Sequence, residues 1–397
     1  MSQPLNGLKI LDFTTLLPGP YATQLLADMG ADVLRVEAHT RPDMVRFTPP
    51  YIDDGAGGQT SAAHATLNRN KKSVALDLKQ PEAIAVVHKL LASYDIVIEQ
   101  FRPGVMARLG LDYDSLAAVN PQLIYCSVSG YGQSGPLRDR AGHDINYLAL
   151  AGLASFSGRE ETGPVLSGTQ IADIAGGTHH AVMGILAAVI QRQTSGVGQH
   201  IDISMSDAAL ALTTLFGAGY LADGRVPGLS TEVLNGGIFY GYHRTRDGRY
   251  FSVGSLEPQF TQQLFAAIGK PEWAERSADP SPEAQRQLRD DVRAVFLTRS
   301  FAEWKDIFAR CDACIEPVLR LDEVERHPHF QARGMFVDVP GNAGGCRQIA
   351  SPIKFSASAP DYRSIGRPLG ADTEAVLKDC GYTDDEIAAL RAAGVVG

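Results

Sequence analysis

The chain has 397 residues, 44% hydrophobic and 20% charged, enough apolar material for a large core, which excludes a disordered or fibrous protein. Its formal charge is -9, from 45 acidic and 36 basic side chains, so no nucleic-acid or anionic-membrane partner is predicted and an anionic ligand must find a local basic patch. At roughly 150 residues per domain, this length suggests two domains.

The opening residues, Met1-Ser2-Gln3-Pro4-Leu5, have neither the charged nor the apolar block of a signal peptide. Residues 8–13 read as a strand, 20–29 as a helix and 31–37 as a strand. The alternation continues with a strand at 73–78, a helix at 82–92 and strands at 95–99 and 123–129, each bounded by Gly, Pro or Asn. This is the rhythm of a doubly wound, mostly parallel, Rossmann-like α/β sheet. Residues 171–193 form a long Ala- and Gly-rich helical pattern whose clean apolar run, 181–190, is about half a membrane span. A strand at 199–205 and a helix at 206–221 follow.

Residues 223–235 carry Gly224, Pro227 and Gly228 without periodicity and read as a linker. The large α/β domain is thus expected over 1–222. A smaller α+β domain covers 236–330, opening on a hairpin of 239–244 and 250–253 turned at Arg246-Asp247-Gly248. The tail, 331–397, has short strands at 336–339 and 349–355 and a last helix opened by the capping box Thr383-x-x-Glu386; it is expected to return to the large domain. The terminal Val395-Val396-Gly397 carries no peroxisomal address, and five cysteines, an odd number, fit free thiols, so the expected location is the cytoplasm.

Gly130-Tyr131-Gly132-Gln133-Ser134-Gly135 is a literal G-x-G-x-x-G after a strand, but Pro136 and Arg138-Asp139-Arg140 replace the helix that would hold a pyrophosphate, which argues against a dinucleotide site. Cys311-x-x-Cys314 has motif spacing without a second ligand pair, so helix packing is expected and no metal. Arg69, Lys71 and Lys72, with Arg102 and Arg108, flank strand ends, where cations suit the phosphates of a nucleotide. His143, Asp173 in Ile171-Ala172-Asp173, and Glu257 before Pro258 each suit a helix start, and spacing alone connects none of them.

At these residues the chain resembles the α-methylacyl-CoA racemases of the family III CoA-transferase (CaiB/BaiF) fold. The likeness runs through Gly7-Leu8-Lys9-Ile10-Leu11-Asp12-Phe13, Pro18-Gly19-Pro20, Arg35-Val36-Glu37, Asn70-Lys71-Lys72-Ser73, Phe101-Arg102-Pro103-Gly104 and Arg108-Leu109-Gly110. Gly142-His143-Asp144-Ile145-Asn146-Tyr147 and Leu256-Glu257-Pro258-Gln259-Phe260 resemble the racemase branch. The resemblance implies an interlocked homodimer acting on an acyl-CoA thioester, with coenzyme A as part of the substrate and no other cofactor. It places Leu16, Leu17 and Pro18 near the thioester, and Lys71, Lys72, Phe101, Arg102, Arg108 and Arg140 along the coenzyme. Two positions depart from the pattern: Ala38 stands where many relatives carry Arg, so that one phosphate contact is either missing or supplied by Arg41, and Ala172 replaces a Gly before Asp173.

The resemblance leaves two reactions open. In a racemase, His143, oriented by Glu257, and Asp173 exchange a proton on opposite faces of the carbon α to the thioester, through an enolate held by backbone N–H groups near Asp173 or at 17–19. In a CoA-transferase, Asp173 is the nucleophile that carries acyl and then CoA. A third reading is a CoA-binding subunit without chemistry. Leu17, Phe239 and Tyr240 suggest an apolar wall for the acyl chain.

Overall fold

The computed structural model describes residues 3–53, 58–341 and 345–397; of the opening pentapeptide, Met1 and Ser2 lie outside the described residues. The chain divides into two compact units. The first comprises residues 1–151, 169–212 and 328–397, the second 152–168 and 213–327.

In the first unit, β1 (Lys9–Phe13) leads into α1 (Pro18–Asp28), followed by β2 (Asp32–Glu37), β3 (Lys72–Ala75), α2 (Pro81–Leu90), β4 (Ile96–Glu99) and β5 (Ile124–Ser129). After them come α3 (Asp144–Leu150), α4 (Ala172–Ser195), β6 (Gln199–Ser204) and α5 (Met205–Ala211). Pro18 and Pro81 each stand in the first turn of a helix, where a fixed φ is preorganised and the missing N–H is not needed. The six strands form one sheet in the order β3-β2-β1-β4-β5-β6, with every neighbouring pair parallel.

Parallel strands are buried on both faces, and successive side chains supply two cores. Leu11, Phe13, Leu34, Val36, Val97 and Tyr125 pack on one face with Val86, Val87 and Leu90 of α2. Ile10, Val33, Ile96, Ile98 and Cys126 pack on the other with Leu26 of α1 and Ile185 and Val189 of α4. Each fully buried aliphatic side chain contributes about 1.5–3 kcal/mol. The helix α4 is long and apolar enough to cross a membrane by length and composition, far beyond the ten-residue run seen in the sequence; in this unit it covers the sheet.

The strand order reverses between β1 and β4, so the connections leave these two strands in opposite directions and open a crevice beyond their carboxyl ends. The C-terminal segment also belongs to this unit. Its helices Thr373–Asp379 and Asp384–Ala392 place Leu377 and Ile387 in the first core, and Thr383 and Glu386 form the expected capping box, Thr383 N–H donating to Glu386 Oε2 at 2.8 Å.

The second unit has an antiparallel sheet β7-β8-β9 (Gly241–Arg244, Tyr250–Val253, Ile315–Pro317) covered by α6 (Pro282–Phe296) and α7 (Phe301–Phe308). Phe251, Phe265, Phe296, Trp304 and Phe308 fill its core, and Trp304 Nε1 donates to the Phe296 carbonyl at 2.9 Å. Residues 223–235, expected as a linker, lie inside this unit: Asn235 donates to the carbonyls of Phe156 (3.0 Å) and Gly228 (2.8 Å). Phe156 also meets Phe216 edge-on, so 152–168 and 213–222, expected in the large domain, group here. The helix expected over 206–221 breaks at Leu212-Thr213, between Met205–Ala211 and Thr214–Asp223, where paired threonines are weak helix formers. Cys311 and Cys314 are free thiols beyond the end of α7 rather than within a helix, and no metal-ligand cluster occurs among the described residues.

Candidate active site

The crevice beyond β1 and β4 is built on a turn that the fold holds under strain. Leu16 has φ 63, a left-handed conformation that costs a non-glycine residue of order 1 kcal/mol or more. Two buried carboxylates hold this turn. Asp12 accepts from the Thr14 N–H at 2.9 Å, and Asp43 accepts from the Leu16 N–H at 3.0 Å. Asp12 is held by Thr23 and by Lys71 Nζ (3.2 Å), while Asp43 pairs with Arg35. Across the crevice, Gln100 follows β4 and its Oε1 accepts from Gly19 N–H at 3.0 Å, tying the start of α1 to the neighbouring strand.

Against this turn packs the start of α4. Its first seven residues, Ala172–Thr178, wind as a π-helix, a form common at functional sites. His180 Nδ1 donates to the carbonyls of Ala175 (2.9 Å) and Gly176 (2.8 Å) within this turn. A Cβ on Gly177 would lie 3.1 Å from Pro18 Cβ, and Thr178 donates to the Pro18 carbonyl at 2.6 Å, so the small residues read in the sequence serve close approach to α1.

Asp144, near the start of α3, accepts from the N–H groups of both Ala172 (2.6 Å) and Asp173 (3.1 Å). It therefore takes up the donors with which a helix start lowers a carboxyl's pKa, and adds its own negative charge. Burial, then Asp144, push Asp173 up to about 6, against the opposing pull of His143. His143 is exposed, its N–H donating to Asn146 Oδ1 at 3.0 Å. Tyr147 completes the group: burial and then Asp173 raise its hydroxyl to about 12, and it donates to the Gly142 carbonyl at 2.6 Å. A Cβ on Gly130 or Gly142 would come within 2.6 or 2.7 Å of the Tyr147 ring or hydroxyl, so these two glycines make room for that side chain.

The first unit thus brings His143 and Asp173 together, beside a helix packed on Pro18. Glu257 belongs to the second unit, exposed just ahead of helix Pro258–Ala267. Of the expected coenzyme contacts, Leu16 and Leu17 lie in the β1–α1 turn, Pro18 begins α1, and Phe101 and Arg102 follow β4, all at the carboxyl edge. Phe101 N–H donates to Glu99 Oε2 at 2.8 Å, and burial pushes Glu99 up to about 7. Arg108 and Arg140 are exposed in the segments after β4 and β5.

Three cations depart from expectation. Lys71 is buried, donating to Asp12, the Pro20 carbonyl (2.8 Å) and Asn68 (3.1 Å), and burial pushes its ammonium down to about 8; it is an internal brace, not a phosphate contact. Arg69 is equally buried against Asp28. Lys72 is exposed but begins β3 and pairs at 3.0 Å with Asp32, which begins β2, so it stands at the amino edge of the parallel sheet, opposite the crevice. Lys79, four residues past the end of β3 and exposed, is a cation on the carboxyl side of that strand, where an Asn-Lys-Lys cluster is the louder signal in the sequence. Phe239, expected in an acyl wall, lies in the core of the second unit against Phe265.

Comparison with known proteins agrees with this architecture. The profile of CoA-transferase family III matches residues 5–373. Human α-methylacyl-CoA racemase is 35% identical over 399 residues, covering 99% of this chain and 97% of that protein. Succinate–glutarate CoA-transferase of Agrobacterium fabrum is 34% identical, covering 95% of each. The crystal structure of a CaiB/BaiF family protein from Brucella suis superimposes with a TM-score of 0.82 at 31% identity, covering 96% of this chain and 100% of that one. With the six-stranded parallel sheet and a family profile spanning nearly the whole chain, the protein belongs to CoA-transferase family III.

Proposed function

We propose that the protein is an α-methylacyl-CoA racemase, interconverting the 2R and 2S forms of a 2-methylacyl-CoA by proton exchange at the α carbon. The observation that carries this reading is Asp173, raised to about 6 and set beside His143. At neutral pH such a carboxylate is ionised yet more basic than an ordinary one, as a general base requires. His143 serves the opposite face, each residue being base in one direction and acid in the other, with Glu257 as the proposed orienting group.

The enolate needs a preorganised donor. The N–H groups of Leu16, Gly19, Ala172 and Asp173 are already taken by Asp43, Gln100 and Asp144. Pro18 and Pro20 have none. Among the described residues nothing accepts from the Leu17 N–H, which makes it the donor of choice for the thioester oxygen. In this scheme Arg102, with Arg108, Arg140 and Lys79, faces the coenzyme phosphates, and the assembly is a homodimer.

The test is proton NMR of one configuration of a 2-methylacyl-CoA in deuterated water, with no acceptor acid. Loss of the α-proton signal with epimerisation supports racemisation. His143→Ala should then slow exchange from one enantiomer by about a hundredfold or more while leaving binding intact; equal turnover of both enantiomers would remove His143 from the scheme. Coenzyme A affinity, read by calorimetry, should fall about tenfold in Arg102→Ala and change less than about twofold in Lys72→Ala.

The second reading, CoA transfer, is favoured by the similar identity of the racemase and the succinate–glutarate transferase to this chain. There Asp173 attacks the thioester carbonyl and CoA leaves as its thiolate. Acyl-CoA-dependent inactivation by hydroxylamine, with no deuterium uptake, would decide for it.

A further inference from the structure

The second unit holds a group of three arginines that outnumber the carboxylates set against them among the described residues. Arg159, in the hairpin of Gly158–Arg159 and Gly163–Pro164, lays its guanidinium over two glycines. A Cβ on Gly236 would lie 1.8 Å from Arg159 Nη1, and one on Gly241 3.0 Å from Nη2, so the cationic head occupies space that only glycine leaves open. Arg289 reaches the same place from α6, its Nη1 donating to the Gly236 carbonyl at 2.9 Å. Arg293 stands one helical turn further along α6, on the same face.

The available acceptors do not match these donors. The hydrogen bond of Arg159 goes to a neutral group, the Ser230 hydroxyl at 3.3 Å. Asp290 is shared, 3.0 Å from Arg293 and 3.7 Å from Arg289 Nε, and Arg289 Nε is buried without a hydrogen bond. Arg289 and Arg293 both repel the charge on Arg159, and Glu161 offsets part of that repulsion. His243, on the strand that Gly241 begins, adds no charge, because burial, and more weakly these arginines, push it down to about 4 against the raising effect of its bond to the Phe239 carbonyl. Partly buried guanidinium groups gathered with too few carboxylates repel one another and are stabilised by an anion that accepts from several at once.

We propose that Arg159, Arg289 and Arg293 form a binding site for a small oxyanion, a free carboxylate or a phosphate. The planar forks of two arginines meeting at Gly236 suit the paired oxygens of either group. The site lies within the second unit and does not depend on the reaction proposed for Asp173.

The test uses the full-length protein and two probes, succinate and inorganic phosphate, at ionic strength matched with chloride. By calorimetry, the wild type should bind at least one probe saturably, one per chain, and Arg159→Gln should weaken that binding by about tenfold or more. Tighter succinate binding identifies a carboxylate ligand and tighter phosphate binding a phosphate. In chloride alone, Arg159→Gln should melt no lower than wild type, because the substitution removes a repulsion. Absence of saturable binding to wild type, as when a partner subunit's carboxylate fills the cluster, overturns the proposal; so does unchanged binding by Arg159→Gln. Should Arg159→Gln fail to fold, Arg293→Gln, partly exposed, carries the same prediction of weakened binding.

Discussion

Asp173→Asn should lower α-proton exchange by about 10²- to 10⁴-fold, the usual range for loss of a positioned acid–base group, while leaving coenzyme A binding near wild type. In the wild type, exchange that needs Asp173 as base should fall as the pH drops through about 6, where the carboxylate takes up a proton, and level off above. Asp144→Asn keeps an oxygen for the Ala172 and Asp173 N–H groups but removes the neighbouring charge, so the acid limb should move to lower pH. An acid whose pKa is raised by folding stabilises the folded state most when protonated, and that contribution is lost as the pH rises through the folded value. Asp173→Asn should therefore melt no lower than wild type at pH 8, which separates loss of the base from loss of the fold. A variant that melts normally and still exchanges would remove Asp173 from the chemistry.

The second large effect concerns stability. Arg69→Ala should destabilise the protein by about 3–5 kcal/mol, as expected when one partner of a buried ion pair is removed and the other remains. Arg69 donates bidentately to Asp28 at the end of α1, and also to Gln348 Oε1 (3.0 Å) and the Ile349 carbonyl (2.9 Å) in the C-terminal segment. Next to it, Asn70 donates to the Asp361 carbonyl at 2.8 Å and accepts from Arg363 N–H at 2.7 Å. The Arg69 side chain is therefore a fastening between α1 and the returning tail, and its loss strands the Asp28 carboxylate in the core. Urea denaturation should show the midpoint falling sharply. Arg69→Ala with an unchanged midpoint and weakened coenzyme A affinity would restore this residue to the ligand.

The parallel sheet was legible because its signals are local. Short apolar runs separated by Gly, Pro and Asn punctuate every strand from Lys9–Phe13 to Gln199–Ser204, and the capping box at Thr383 needs only four consecutive residues. The family, too, was legible, since its sequence blocks are contiguous. His143 and Asp173 could be singled out, but their spacing of thirty residues says nothing of proximity. That came from Asp144, whose one carboxylate oxygen bridges from α3 to the first two N–H groups of α4.

The direction in which each charge faces was decided by the tertiary structure alone. Arg69, Lys71 and Lys72 form one basic cluster in the sequence, yet two point inward to Asp28 and Asp12 and the third lies at the amino edge beside Asp32. A charge run has no periodicity that separates an internal brace from a ligand contact; the partners lie 41, 59 and 40 residues away. The domain boundary was hidden for the same reason. Loop composition marked residues 223–235 as a linker, whereas Asn235 bonds back to Phe156 and draws 152–168 with it into the second unit. Sequence by itself determined the strands of the parallel sheet and the family they build, because propensity and pattern act over a few residues. Which carboxylates are buried, which cations are free and which acid is raised toward neutrality depend on contacts between distant segments, and only folding brings those together.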